Sequence, residues 1–390
     1  MPTTIYCDNA ATSYPKPQTV YDAVLDYMKN IGASPGRSSH TLAVRASRVL
    51  FEAREACGRL LSVRDSSRIV FTRGATESLN LALFGLLKDG GRVAVTSMEH
   101  NSVMRPLRRL SEAGHVEVIV VPCDPTGSID FDAYERIMKT GVTCAVVNHA
   151  SNVCGTIQPI ERLSAVAKAN GALFIVDGAQ SVGGLPIDVR AMGIDLLAFS
   201  GHKSLFGPQG IGGLYIKEGI DFPPLMYGGT GSRSDSDEQP DFLPDKFESG
   251  TLNGPGIAGL AAGIDFVLQT GIDTIREHGR ALTSRFLGNL LDYGDRITFF
   301  GPKDPRAMLP TVSLSIKGID AGWAARKLND EFGICLRTGL HCAPNAHRTI
   351  GTFPHGTLRL SFGFFNTPEK IDLVADALRS ICSLTTSRQT

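Results

Sequence analysis

The chain has 390 residues, 42% of them hydrophobic and 20% charged, which predicts a folded protein of more than one domain rather than a disordered one. Lys plus Arg and Asp plus Glu both number 39, so the charge balance gives no general attraction to nucleic acid or to an anionic membrane. No apolar run reaches the roughly 18 residues of a membrane-spanning helix. The N-terminal residues also lack the basic and apolar segments of a signal peptide. We therefore expect a cytoplasmic protein without nucleic-acid or membrane partners.

Strand-like and helix-like segments alternate from Arg68 onwards. Four helical segments join the first five of the predicted strands, which are RIVFT, RVAVTS, VEVIVVP, VTCAVVNHAS, ALFIVDGAQ, DLLAFSG and GIGGLYIK. Val- and Ile-rich strands joined by helical crossovers predict a mainly parallel, seven-stranded sheet that is covered on both faces. Ligands of such sheets bind beyond the carboxyl ends of the strands.

The pattern changes after Tyr227. Residues 228–246 are rich in Gly, Ser, Asp and Pro and predict a long exposed loop. A long helical stretch is predicted from about Gly256 to Tyr293, and two further strands, TVSLSIKG and GTLRLSF, alternate with two helices. We predict a large α/β domain over residues 20–255 and a smaller α+β domain formed by residues 1–19 and 256–390.

The strongest local signal is FSGHKSLFGPQGIGG, in which Lys203 follows a strand and precedes a glycine-rich turn. A lysine that forms a Schiff base must be neutral, which favours a confined pocket near apolar or positively charged groups. The alternative is a surface lysine in a loop.

In IVDGAQS, Asp177 ends an apolar strand, where it can pair with a cationic ligand group or cap a helix, and Gln180 can reach the same ligand. In TRGATES, a small-residue turn with the hydroxyl of Thr76 opens a helix, which suits a phosphate or simple capping.

Two later motifs carry a thiol and an arginine within an apolar strand. Cys342 lies in LRTGLHCAPN, where His341 and Arg337 could favour the thiolate, unless this cysteine is incidental. Arg359 interrupts the apolar strand TLRLSFGFFNT, where it either reaches water or binds an anion. The eight cysteines form no CxxC pair, and His341, Cys342, His347 and His355 lack a recognised zinc spacing, so we predict no metal site.

Together, these five motifs resemble the class V aminotransferase family, and within it the cysteine desulfurase and selenocysteine lyase branch. The resemblance runs from CDNAAT to FFNTPEK. It implies a fold-type I enzyme that uses pyridoxal 5'-phosphate. By this resemblance, Lys203 holds the cofactor, Asp177 pairs with the pyridine nitrogen, Gln180 contacts the ring hydroxyl, and His100 stacks on the ring and assists proton transfer. The resemblance assigns the phosphate to Ala75, Thr76, Ser200 and His202.

The same resemblance assigns residues to the substrate and to a second subunit. Asn152 is expected near the ring and the substrate carboxylate, Arg359 is expected to grip that carboxylate, and Arg337 is counted with them. Thr251 resembles the residue that reaches the cofactor phosphate of the neighbouring subunit, which implies a homodimer with shared active sites.

The resemblance makes Cys342 the nucleophile that takes sulfur from L-cysteine as a persulfide and releases L-alanine. From Cys342 to Arg359 there are 17 positions (359 − 342), which is similar to the group II type with a short cysteine loop. Group II membership implies transfer to a dedicated sulfur-acceptor protein. Two segments depart from the group II pattern: in SPGRSSHTL, Gly36 stands where a histidine is expected, and APNAHRTIGTFPHG follows the cysteine.

Other readings remain open at the level of sequence. A selenocysteine lyase uses the same scaffold on L-selenocysteine, and the residues do not separate the two activities. A transaminase would leave Cys342 without a role. A non-catalytic sulfur-trafficking scaffold would be expected to lack Lys203 or Cys342, and both are present.

Overall fold

Three sheets organise the molecule. The structure, a computed structural model, describes residues 4–36 and 39–383. Its strands are β1 (Ile5–Tyr6), β2 (Ile69–Thr72), β3 (Gly91–Thr96), β4 (Val116–Val121), β5 (Cys144–Asn148), β6 (Leu173–Asp177), β7 (Leu196–Ser200), β8 (Gly212–Ile216), β9 (Ile297–Phe300), β10 (Thr311–Ile316), β11 (Ile334–Cys335), β12 (Arg337–Gly339) and β13 (Thr357–Ser361). The seven-stranded sheet has the order β2-β8-β7-β6-β5-β3-β4, and within it only β8 runs antiparallel to its neighbours. The predicted mainly parallel α/β sheet is confirmed.

Helices cover both faces of this sheet. The α-helices of the described residues are α1 (Gln18–Asp26), α2 (Thr41–Leu61), α3 (Ala75–Leu86), α4 (Asn101–Glu112), α5 (Phe131–Met138), α6 (Ile160–Ala169), α7 (Gly254–Thr270), α8 (Ile272–Asn289), α9 (Ala321–Phe332), α10 (Pro344–Thr349) and α11 (Pro368–Ser383). One apolar core packs α2, α5, α6 and α7 on one face, and a second packs α3 and α4 on the other. β5, β7 and β8 are buried along their whole length because helices lie on both sides of them.

The predicted single helical stretch from about Gly256 to Tyr293 is two helices. Gly271 has φ 85°, a conformation that glycine adopts without strain, and α7 and α8 meet there at a bend of 80°. Among the described residues no single helix is long and apolar enough to cross a membrane, whereas this bent pair passes the same test of length and composition jointly. The apolar side of α7 is buried in the core of the large sheet.

A smaller unit follows α7. A four-stranded antiparallel sheet of order β12-β13-β10-β9 packs with α8, α9 and α11 around a third core. β1 pairs in parallel with β11, so the N-terminal segment joins this unit. The division at residues 255 and 256 stays a prediction, although α7 packs on the large sheet and not on the smaller one. In the segment around Gly36, residues 37 and 38 lie outside the described residues.

Candidate active site

The carboxyl ends of the central strands bring most of the predicted residues together. β6 ends at Asp177, Lys203 follows the end of β7, and α3 begins directly after the turn that leaves β2. Because parallel strands end at the same edge of a sheet, these segments meet. They enclose a cavity of about 200 Å³. Nine of the predicted residues line it: Ala75, Thr76, His100, Asn152, Asp177, Gln180, Ser200, His202 and Lys203.

The amine of Lys203 lies in a desolvated and positively charged environment. Burial lowers the pKa of Lys203 from 10.5 to about 8, and the positive charges of Arg359 and Arg337 act in the same direction. The negative charge of Asp177 opposes this shift without cancelling it. An amine with such a pKa is partly neutral at weakly alkaline pH, and a neutral amine is the form that attacks a carbonyl or accepts a proton.

Asp177 provides a buried carboxylate that is suited to bind a cationic group of a ligand. Its side chain is buried, and its Oδ1 accepts the backbone N–H of Ala179 at 2.9 Å. Burial raises the pKa of Asp177, and no ion pair involves this carboxylate within the described part of the chain. A buried carboxylate without a positive partner is costly. Beside it, Gln180 is oriented by its Nε2, which donates to the carbonyl of Ala10 at 3.0 Å.

The N-terminus of α3 closes one end of the cavity. The backbone N–H of Ala75 donates to Ser200 Oγ at 3.2 Å, and the Nδ1 of His202 is buried without a partner among the described residues. The backbone approaches closely here, since a Cβ on Gly212 would lie 2.6 Å from the Cα of Gly74. The amides and dipole of a helix N-terminus attract anions. This end of the cavity is therefore suited to a phosphate group.

His100 presents a neutral ring to the cavity. Its Nδ1 accepts the backbone N–H of Ser102 at 3.0 Å, which caps α4 and places the ring proton on Nε2. Burial lowers the pKa of His100 to about 4, helped by the positive charges of Lys203 and Arg337. The ring is therefore uncharged at neutral pH, and it can stack on a planar ligand.

Arg359 does not extend to water. Its side chain is 1% exposed; one terminal nitrogen donates to the carbonyl of Asn152 at 2.9 Å, and the other donates to Asp8 Oδ1 at 2.6 Å. The Nε of Arg359 and the Oδ1 of Asn152 are buried and have no hydrogen-bond partner among the described residues. A buried guanidinium with a free donor is suited to bind a carboxylate.

Cys342 is exposed in the turn before α10, and one terminal nitrogen of Arg337 lies 3.4 Å from its sulfur. The expectation that His341 also favours the thiolate is wrong. Its ring is buried and hydrogen-bonded to Thr357 Oγ1 at 3.1 Å, and burial lowers the pKa of His341 to about 2, so it carries no positive charge.

The thiol-bearing turn has an unusual backbone that its neighbours hold in place. His341 and Cys342 have φ values of 47° and 58°, in the left-handed region that costs a residue with a side chain about 1–2 kcal/mol. Asn152 Nδ2 donates to the carbonyl of His341 at 2.7 Å, and the backbone N–H of Asn101 donates to the carbonyl of Cys342 at 2.8 Å. The turn is therefore anchored to the loop that follows β5 and to the start of α4.

Thr251 is not brought to this cavity within one chain. It lines a separate groove with Arg73, Leu225 and Met226, among others. The described residues contain no group of three or more His, Cys, Asp or Glu side chains arranged to hold a metal ion.

The sequence did not predict a role at this site for two acidic residues. Asp8 pairs with Arg359 from 351 positions away, and its only sequence signal is an acidic residue directly after the short apolar segment of β1. Glu99 is fully buried; its Oε1 accepts the hydroxyl of Thr96 at 2.6 Å and the backbone N–H of Asn148 at 3.0 Å. Burial raises the pKa of Glu99 to about 8. No pattern in the sequence distinguishes it from a surface glutamate.

The chain is similar to known proteins over nearly its whole length. The model of the family "Aminotransferase class-V" matches residues 5–374. A probable cysteine desulfurase of Methanothermobacter thermautotrophicus is 37% identical over 387 residues, which cover 97% of this chain and 95% of the relative. A cysteine desulfurase of Salmonella dublin is 33% identical over 96% of this chain and 93% of its own.

Solved structures give the same result. The apo structure of a cysteine desulfurase from Thermococcus onnurineus superposes with a TM-score of 0.92 at 32% identity, over 97% of this chain and 95% of that one. The cysteine desulfurase CsdA from Escherichia coli superposes with a TM-score of 0.87 at 29% identity, over 97% and 94%. With nearly the whole chain matched by the family model and by these relatives, the protein belongs to the class-V aminotransferase family.

Proposed function

We propose that this protein is a pyridoxal-phosphate-dependent cysteine desulfurase that converts L-cysteine to L-alanine and takes the sulfur onto Cys342. The observation that carries the proposal is an exposed thiol beside Arg337, on a turn that is hydrogen-bonded to Asn152, which lines the cavity and also contacts Arg359. A transaminase does not need such a thiol.

The cavity fits pyridoxal phosphate at both ends. The amides that open α3, with Thr76 and Ser200 at their side, suit the phosphate, and the orphaned Nδ1 of His202 offers a further polar contact there. Asp177 suits the protonated pyridine nitrogen, and the amine of Lys203 suits the aldehyde. When bound, the cofactor supplies an electron sink that stabilises negative charge next to the amino-acid α-carbon.

The remaining polar groups orient the amino acid and move its proton. Arg359 binds the substrate carboxylate through the donors that Asp8 and the carbonyl of Asn152 leave free. The neutral amine of Lys203 removes the α-proton, since its low pKa makes the neutral form accessible. His100 is uncharged and closes the cavity at one side, where it excludes water from the reacting carbon.

Cys342 then acts as the nucleophile. Its thiolate, next to the positive charge of Arg337, attacks the sulfur of the substrate, so that a sulfur–sulfur bond forms while the carbon–sulfur bond breaks. The electron pair of the broken bond stays on the β-carbon, which takes up a proton and becomes the methyl group of alanine. The α-carbon takes back a proton from Lys203, and alanine is released. Because Cys342 is exposed, a sulfur-acceptor protein can reach the persulfide.

Product analysis with the cofactor-loaded enzyme tests this proposal. Purified protein and its Cys342→Ser variant are given L-cysteine or L-selenocysteine with a reductant, and alanine is quantified together with sulfide or selenide. Alanine from L-cysteine that disappears in Cys342→Ser, with unchanged cofactor absorbance, supports the desulfurase. If only L-selenocysteine yields alanine, the protein is a selenocysteine lyase instead. If neither substrate yields alanine, both activities are refuted.

The assembly and setting are part of the same proposal. We infer a homodimer in which Thr251 reaches the cofactor phosphate of the partner subunit. Apolar side chains exposed on one chain support an interface near the Thr251 groove and on the N-terminal helices; they are Leu25, Met28, Leu42, Val44, Phe51, Leu225, Met226 and Tyr227. The short cysteine loop supports the group II type with a dedicated acceptor, and iron-sulfur cluster assembly in the cytoplasm is the pathway we propose for it.

A further inference from the structure

Two buried histidines lie in the segment of the chain that carries Cys342. His341 precedes it, and His347 lies on α10. Their side chains are 2% and 0% exposed, their ring centroids are 5.4 Å apart, and their ring planes are inclined by 41°. Neither ring lines the cavity proposed for the cofactor, so the reaction described above leaves both without a role.

A chain of hydroxyl groups fixes the proton of His341. Ser313 Oγ donates to the carbonyl of Val153 at 2.6 Å, so its single proton is used. In the contact of 3.0 Å between the two hydroxyls, Thr357 must therefore donate to Ser313. Thr357 Oγ1 then has no proton left, and His341 Nε2 must donate to it at 3.1 Å. Nδ1 of His341 is thus an acceptor, and it is buried without a partner among the described residues.

The hydrogen bonds around His347 show in the same way which of its ring nitrogens carries the proton. The hydroxyl of Thr352 lies 2.6 Å from Nδ1 of His347 and 3.4 Å from the carbonyl of the same residue. That carbonyl already accepts the backbone N–H groups of Thr352 and Phe353 at 2.8 and 3.1 Å, so the hydroxyl donates to Nδ1. Nε2 of His347 therefore carries the ring proton. It is a buried donor without a partner in the described part of the chain.

The two orphaned nitrogens are complementary, since one is an acceptor and the other a donor. We propose that His347 is a positioning residue whose Nε2–H donates to Nδ1 of His341 and thereby holds the turn that presents Cys342. The role rests on the proposed function of Cys342 as the nucleophile. Imidazole rings joined by an N–H···N bond have centroids about 5 Å apart, which is close to the observed 5.4 Å. Burial lowers the pKa of both rings, to about 2 and about 4, so the pair is uncharged at neutral pH.

The turn requires such support because its backbone is strained. His341 and Cys342 both occupy the left-handed region; the carbonyl of His341 is bonded to Asn152, and that of Cys342 is bonded to Asn101 at the start of α4. The ring of His341 is a further anchor, and it ties the turn to β13 through Thr357. Without the donor of His347, a buried acceptor on that ring stays unsatisfied, and the turn is free to relax towards water.

Substitutions in the cofactor-loaded enzyme test the proposal. His347→Met removes the donor at similar volume, whereas His347→Gln keeps an N–H near the position of Nε2. Thr349→Val is the matched control, since it removes a hydrogen bond of 2.8 Å between α10 and Ser97 without touching the histidines. The readouts are the rate at which iodoacetamide alkylates Cys342, followed by peptide mass, and kcat and KM for L-cysteine.

We expect His347→Met to lower kcat by about tenfold to a hundredfold, because small misplacements of a reacting group have effects of this size. The KM for L-cysteine should stay within about twofold, since Arg359 is not touched. The alkylation rate of Cys342 should change in the same variant, and His347→Gln should restore both values. If His347→Met behaves like Thr349→Val in kcat and in alkylation, the proposal is overturned.

A measurement on the unsubstituted protein does not depend on any variant folding. Nitrogen-15 spectra of histidine-labelled protein report which ring nitrogen carries the proton, and both His341 and His347 should be protonated on Nε2. A proton on Nδ1 of His341 would remove the acceptor and refute the hydrogen bond. If L-cysteine yields no alanine while the tautomers and the alkylation rates are as expected, the proposed activity fails, whereas the hydrogen bond between the two histidines and its effect on the turn of Cys342 stand.

Discussion

Replacing Lys203 by methionine should stabilise the cofactor-free protein, and the gain should depend on pH. Folding moves the amine from water, where its pKa is 10.5, to a site where burial and two arginines lower the pKa to about 8. The unfolded chain therefore binds more protons than the folded one between these values, and stability rises with pH across that window. Methionine has a similar length and no charge, so the variant does not carry this penalty.

The size of the effect follows from the two pKa values. Below pH 8 the amine is protonated in both the folded and the unfolded protein. The lowering of its pKa from 10.5 to about 8 then destabilises the folded wild-type protein by roughly 3 kcal/mol. At pH 9.5 the folded amine is largely neutral, and roughly 1 kcal/mol remains. The advantage of Lys203→Met should therefore fall by more than half between pH 7 and pH 9.5.

Urea unfolding of both cofactor-free proteins at equal concentration, at pH 7, 8, 9 and 9.5, measures this difference. Lys139→Met serves as the control, because Lys139 is exposed at the end of α5 and its amine is solvated in both states. That control should show the same difference from wild type at every pH. A Lys203→Met advantage that does not change with pH, or a variant that is less stable than wild type at pH 7, would contradict the burial of a destabilised amine.

Three other predictions follow from the same geometry. The rate at which pyridoxal phosphate attaches to the cofactor-free enzyme, followed by absorbance, should rise with pH and level off above about pH 8, because only the neutral amine of Lys203 reacts; a continued rise to pH 10 would contradict this. Thr251→Ala should weaken cofactor retention about tenfold, and in mixed dimers only in the partner's site; loss in the chain's own site would refute the shared arrangement. Arg54 and Glu248 form a buried pair at 2.8 and 2.9 Å, so removing either charge should cost roughly 3–5 kcal/mol in urea unfolding, while Arg54→Met combined with Glu248→Gln should cost less than the sum.

The sequence predicted the large sheet well because its signals are local. A buried strand such as β2 is a short run of mainly apolar residues, and α3 begins three positions after its last residue. Parallel strands end at the same edge of a sheet, so the sequence predicts that Asp177 and Lys203 lie close together. Whether β8 runs antiparallel could not be predicted in this way, since strand direction depends on which distant strand it pairs with.

The smaller unit and its contacts were harder to predict. The ion pair of Asp8 with Arg359 spans 351 positions, and no periodic pattern connects them. His341 was expected beside the thiol because it precedes Cys342, yet the left-handed backbone turns its ring towards Thr357. Sequence neighbours share a face only when the local backbone geometry is known, and a turn with two positive φ values is not visible in the residue types.

The geometry also indicates what sets the distance between the substrate and the thiol. The guanidinium of Arg359 donates to the carbonyl of Asn152, and the side chain of the same asparagine donates to the carbonyl of His341. One residue on a loop of the large sheet therefore contacts both Arg359 and the turn of Cys342. In the proposed reaction, in which Arg359 binds the substrate carboxylate, this bridge helps to set the distance between the substrate sulfur and the thiol. In the same proposal the exposed position of Cys342 serves release of the sulfur, while buried contacts fix its approach to the substrate.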